Sequence, residues 1–87
     1  MDNTTKLRNL ISKAGKLPCT FNAIIQFRGY SDTEKVRICH CSQEQYKKLK
    51  ANPRFDNNIF YYIHSLAELQ ELEAGAGEFK LIQITDY

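Results

Sequence analysis

Cys19-Thr20-Phe21-Asn22-Ala23-Ile24-Ile25-Gln26-Phe27-Arg28, then Gly29-Tyr30-Ser31-Asp32-Thr33, then Glu34-Lys35-Val36-Arg37-Ile38-Cys39-His40-Cys41, is the stretch that decides the fold. In its first part Phe21, Ala23, Ile25 and Phe27 alternate with Asn22, Ile24, Gln26 and Arg28. A period of two is the mark of a half-buried strand, because successive side chains leave a strand on opposite faces. Alternation resumes after the Gly-containing segment. Val36, Ile38 and His40 fall on one face, and Lys35, Arg37, Cys39 and Cys41 on the other. Two such runs joined by a short loop form an antiparallel hairpin. A register with Phe27 opposite Val36 and Ile25 opposite Ile38 puts both apolar rows on one face and gathers Arg28, Lys35 and Arg37 on the other.

Upstream of the hairpin, Leu7, Leu10, Ile11 and Ala14 recur at i, i+3, i+4 and i+7, a single apolar stripe on a helix over residues 4–14. Asn3 or Thr4 suits its N-cap, Gly15 its left-handed stop, and Pro18 forbids continuation. Downstream, Ser42-Gln43-Glu44-Gln45 is a capping box opening a second helix to about Lys50. Tyr46 and Leu49 are its apolar contacts, Lys47, Lys48 and Lys50 its wet side, and Ala51-Asn52-Pro53 its end.

Arg54 to Asn58 reads as loop, with Phe55 turned back onto the core. Ile59-Phe60-Tyr61-Tyr62-Ile63-His64 is aromatic and β-branched, as a strand is, and apolar on both faces. Two apolar faces predict a central strand. Ser65-Leu66-Ala67-Glu68 is a second capping box, leading a helix lined by Leu66, Leu69 and Leu72. Gly75-Ala76-Gly77 connects it to a last strand, Phe79 to Thr85. A helical connection between the third and fourth strands allows a parallel pair there.

The expected fold is therefore α+β, in the order α-β-β-α-β-α-β. Its four-stranded sheet is mostly antiparallel, with helices packed mainly on one face. Eighty-seven residues make one domain, 1–87, with a thin core.

An apolar fraction of 43% and ten aromatics lie well above the range of disordered chains. The N-terminal residues carry no basic-then-apolar leader, and no apolar run reaches membrane-spanning length. With three cysteines, an odd number, the expectation is free thiols in a reducing, cytoplasmic setting and no membrane partner. The net charge of +2 conceals an asymmetry. Residues 1–54 hold eleven Lys and Arg against four acidic residues, whereas residues 55–87 hold Lys80 against six. Such polarity bears on partners, although each half also simply solvates its own surface.

Chemistry-bearing motifs are few. Cys39-His40-Cys41 with Cys19 and His64 has the ligand types of a zinc site but not its spacing. In a strand Cys39 and Cys41 share a face while His40 points away. Cys41, just ahead of the second helix, is the one thiol whose pKa helix amides are placed to lower. His40 reads as a core residue. Gly75-Ala76-Gly77-Glu78 precedes a strand and lacks the Lys-Ser/Thr of a phosphate loop. No catalytic residue, metal site or cofactor is assigned, and an enzyme is the least supported class.

Two binding classes remain. The expected one is a non-catalytic regulatory or inhibitory protein that binds another protein through Arg28, Tyr30, Lys35, Arg37, Lys47, Lys48 and Lys50. Its size and architecture are those of small inhibitors carried by phages and mobile elements, an analogy of class alone, with a nucleic-acid-handling machine as a plausible target. The alternative is a nucleic-acid-binding domain using the basic hairpin face and second helix, with Tyr30 and Tyr61 or Tyr62 for stacking.

Overall fold

A computed structural model describes residues 2–52 and 58–86. The expected stop at Pro53 and the inward turn of Phe55 lie outside the described residues.

Seven elements follow in the expected order: α1 (Asn3–Ala14), β1 (Cys19–Phe27), β2 (Thr33–His40), α2 (Gln43–Ala51), β3 (Ile59–Ile63), α3 (Leu66–Glu73) and β4 (Phe79–Ile84). The strands form one sheet in the order β3-β2-β1-β4. β1 is antiparallel to β2 and to β4, while β2 and β3 are parallel. The fold is α+β with a mixed sheet. The parallel pair is thus not the one that the sequence offered. β3 and β4 are the two edges, and the crossover helix that makes neighbours parallel is α2.

β3 is therefore an edge strand rather than a central one. Its two apolar faces come from coverage above and below, not from strands on either side. Tyr61 and Ile63 share a face with their register partners Ile38 and His40, towards the main core. Tyr62 shares the opposite face with Cys39 and meets Tyr46 of α2 at 4.9 Å between ring centroids. α1 and α3 cover the first face, and α2 covers part of the second.

The hairpin pairs Phe21 with Ile38 and Ala23 with Val36, four positions from the expected register. An even shift preserves which face each residue takes, so the apolar rows coincide as expected. It does move Arg28 off the ladder. The last pair is Gln26 with Thr33, and residues 27–32 form the loop. A turn closes from Tyr30 N–H to Phe27 O at 3.1 Å, with Gly29 at φ 84° where an L side chain is strained. The Gln26 side-chain amide then donates to Tyr30 O (2.9 Å) and Ser31 O (3.2 Å), holding the wider loop.

Leu7, Phe21, Ala23, Ile25, Ile38, Ile63, Leu69, Leu72, Phe79, Leu81 and Ile84 make the core. Leu7 alone of the α1 stripe is fully buried, Leu10 and Ile11 are partly so, and Ala14 is exposed. α1 begins one residue before the expected caps. Asp2 is the N-cap, its carboxylate accepting from Thr5 N–H at 2.7 Å, which holds that carboxyl below its ordinary range. Gly15 ends the helix at φ 73°, as expected.

That early start has a consequence for the sheet. Asn3 and Lys6 are buried polar residues, and both reach the outer edge of β4. Asn3 accepts from Ile84 N–H at 2.9 Å and donates to Ile82 O at 3.2 Å, as a neighbouring strand would, while Lys6 Nζ donates to Ile84 O at 3.1 Å. An unpaired strand edge is a template for unwanted pairing, and here α1 side chains occupy it. Replacing Asn3 by Ala leaves the buried Ile84 N–H without its partner. We expect a loss of about 1–3 kcal/mol in urea unfolding, together with concentration-dependent association in gel filtration.

Candidate functional site

The thiols and imidazoles sit where β2, β3 and the ends of α2 and α3 meet. Cys39 and Cys41 are fully buried on the α2 side of the sheet, close to one another. Burial, reinforced by each other's proximity, pushes the Cys39 thiol up to about 12. Burial also raises Cys41 and Cys19. The expected lowering of Cys41 by helix amides is not realised. Its own N–H belongs to the sheet, donating to Ile63 O at 3.0 Å, and Ser42 Oγ takes the Gln45 N–H at the helix start (3.1 Å). Cys41 is a packed thiol, not an activated one.

His64 is held through Nδ1, 2.8 Å from Cys41 O, so that nitrogen is the donor. Its ring stands edge-on to Tyr46 at 5.6 Å, and its N–H donates to Glu68 Oε2 at 3.0 Å. Glu68 thus serves the residue before the cap, rather than closing the expected box onto Ser65. His40 points to the opposite side of the sheet from Cys39 and Cys41, as read. It is buried, it bonds the His64 backbone, and its Nδ1 has no hydrogen-bond partner among the described residues. Burial lowers its pKa from the ordinary 6.5, against the opposing effects of that backbone bond and of Glu68. Among the described residues no group of three His, Cys, Asp or Glu side chains is arranged to hold a metal ion.

The face of the sheet that α2 leaves uncovered is polar and cationic. Thr20, Asn22, Ile24 and Gln26 of β1 lie beside Lys35 and Arg37 of β2 in register, with Lys80 and Gln83 of β4 on the other flank. Asn22, Lys35, Val36, Arg37, Asn58, Ile59 and Phe60 line a shallow groove of about 710 Å³ on it. Arg37 donates to Thr20 Oγ1 at 3.3 Å across the strands. One carboxylate sits at the margin: Asp86 Oδ2 accepts from Asn22 N–H (2.8 Å) and from its side-chain amide (2.9 Å). Lys50 flanks the face from α2, its Nζ 5.2 Å from the Tyr62 ring centroid and 5.7 Å from that of Tyr46, within cation–π reach. Lys47 and Lys48 are exposed on the rest of the helix. The Gln45 amide anchors α2 twice, accepting from Ser42 N–H at 2.9 Å and donating to Leu17 O at 2.8 Å.

Of the seven residues that the sequence nominated, the structure brings Lys35, Arg37 and Lys50 to this face or its border. Arg28 and Tyr30 lie outside the groove, although both line a smaller recess with Gln26 and Lys80. Tyr30 is 72% exposed in the hairpin loop, beyond the groove. Arg28, displaced by the register, donates to Gly75 O (3.1 Å) and Gly77 O (3.0 Å) and so clamps the α3–β4 loop. Lys80 is the cation the sequence missed. Its outward place in the alternation of β4 was legible, but not that β4 lies beside β1.

Two further exposed aromatics gather at the β3 edge. Phe60 (42% exposed) and Tyr61 (40%) both stand edge-on against Phe79, at 5.4 and 5.2 Å, and Phe27 joins them 5.9 Å from Phe60. Phe27, Tyr61 and Phe79 belong to the side of the sheet facing α1 and α3, while Phe60, at the edge, also lines the groove beside Lys35 and Arg37.

No family model matches the chain, and no curated protein or solved structure is significantly similar to it. No helix among the described residues is long and apolar enough to cross a membrane.

Two measurements check the thiol and imidazole assignments. All three cysteines are expected to resist a thiol-specific disulfide reagent in the native state and to react promptly once the chain is unfolded in urea. Because folding depresses the His40 pKa, the unfolded chain takes up that proton first. Its contribution to stability is present above pH 6.5 and is lost as pH falls below it. His40→Leu is expected to flatten the fall in urea midpoint between about pH 7.5 and 5.5 relative to the native chain, by removing this titration.

Proposed function

We propose that this chain is a non-catalytic binding domain that acts by seating its uncovered cationic sheet face on an acidic surface of another protein. The observation that carries this reading is a concentration of cations on a sheet face whose aromatic rings stand at its margins. Lys35, Arg37 and Lys80 share that face with Thr20, Asn22, Ile24, Gln26 and Gln83. The exposed ring of Tyr61 faces the other way, Tyr62 is covered by Tyr46, and Phe60 borders the groove from the sheet edge. Single-strand nucleic-acid platforms interleave stacking rings with their cations, whereas here Phe60 at the edge and Tyr30 in the hairpin loop flank them. Complementary charge at a protein interface, by contrast, needs no rings to steer encounter and choose partners.

A non-catalytic role is supported by the state of the candidate nucleophiles. Cys39 and Cys41 are buried and held protonated, and His64 uses Nδ1 on a backbone carbonyl. A regulator or inhibitor needs no more than the face.

The test is capture of partners from the source cell's lysate with the tagged chain, with and without nuclease, beside a Lys35→Glu/Arg37→Glu variant. Both positions are exposed, so the variant is expected to keep its circular dichroism and urea midpoint. A discrete protein retained after nuclease and bound about tenfold or more weakly by the variant supports the reading. Recovery of nucleic acid alone, lost on nuclease treatment and falling linearly in log affinity against log salt, would place the chain with nucleic-acid binders instead.

A further inference from the structure

The side of the sheet opposite the cationic face carries a second recess, between the start of β3 and α3. Tyr61, Glu68, Glu71, Leu72, Ala76 and Gly77 line it, enclosing about 370 Å³. We propose that this recess is a docking pocket for the cationic side chain of an arginine or lysine, presented by an apolar segment of a partner protein.

The lining has the two parts that such a side chain requires. Leu72, Ala76 and the ring of Tyr61 offer an apolar wall for the methylene stem, and the carboxylates of Glu68 and Glu71 meet the charged head. Among the described residues that line the recess there is no cation. Arg28, which reaches the same loop, is committed to the carbonyls of Gly75 and Gly77. The aromatic face of Tyr61 adds attraction for a cation placed over it. An anionic segment is repelled here, and a purely apolar one would bury carboxylates without a partner.

The walls are also held in place before any ligand arrives. Tyr61 is backed edge-on by Phe79 at 83° between ring planes. Glu68 is fixed through His64 N–H. The 75–77 wall is pinned by Arg28 and by Ala76 N–H, which donates to Glu71 O at 3.2 Å. Pre-ordered walls lower the entropy cost of binding. A segment of chain is favoured over a free small cation because the apolar surface continues beyond the recess. Phe60, next to Tyr61 and edge-on to the same Phe79 ring, supplies contact for flanking side chains.

The experiment is a titration of the 15N-labelled chain, followed by two-dimensional NMR, with the blocked pentapeptide acetyl-Ala-Leu-Arg-Leu-Ala-amide. A second peptide carries citrulline, the uncharged isostere, in place of arginine. The arginine peptide is expected to shift the amides of Tyr61, Glu71, Ala76 and Gly77 saturably, and the citrulline peptide to bind about three- to tenfold more weakly. Glu71→Gln, an exposed and nearly isosteric change, is expected to weaken the arginine peptide by a similar factor and to leave the citrulline peptide unaffected. Equal binding of the two peptides, an absence of shifts at millimolar peptide, or shifts confined to the Lys35 and Arg37 face would overturn the proposal. Equal binding or an absence of shifts leaves the reading of the cationic face untouched, because that reading concerns an acidic partner; shifts at Lys35 and Arg37 would count against both.

Discussion

Asn3 and Lys6 hold the two ends of this chain together, and much of the remaining architecture depends on that. By bonding the outward backbone groups of Ile82 and Ile84, they stand in for a fifth strand and terminate the sheet at β4. They also fix α1 across β1 and β4, so that Leu7 fills the core above Phe21 and Leu81. With α1 and α3 committed to one side, α2 covers only the Cys39–Tyr62 end of the other. The rest of that side is left to polar and cationic residues.

The incomplete second layer is what gives the molecule a usable surface. Its cations arrive from three separate segments: Lys35 and Arg37 from β2, Lys80 from β4 and Lys50 from α2. The acidic residues of the C-terminal half are concentrated instead on and after α3, where Glu68 and Glu71 border the Tyr61 recess. An asymmetry along the sequence has become an asymmetry between surfaces. On the proposed reading, two surfaces of opposite sign on one small sheet would suit a protein that holds others in place or blocks them.

Much of this was legible in the residues, and the parts that were not share one cause. Alternation in Phe21–Phe27 and Val36–His40 gave the hairpin and its two faces, because side-chain direction in a strand is a local property. Ser42 and Gln45 gave the start of α2 for the same reason. Register and strand neighbours are not local. The four-residue slip in the hairpin follows from the Gln26 amide holding a wider loop, a bond that no periodicity announces. That slip turned Arg28 from a surface cation into a clamp. β3 read as central because coverage of its faces by Tyr46 and by the core leaves the same composition as strands on both flanks. Asn3 read as a candidate N-cap and Lys6 as a polar residue of the first helical turn, and only the position of β4 reveals what they bond. Lys80 was missed likewise.

The central claim is that the uncovered sheet face is the surface that meets a partner. Lysine acetylation footprinting of the captured complex, read by mass spectrometry against the free chain, tests it most directly. Lys35 and Lys80 are expected to be protected in the complex, while Lys13 and Lys16, exposed around the end of α1, stay reactive. Protection at Lys13 and Lys16 with Lys35 and Lys80 fully modified would contradict it.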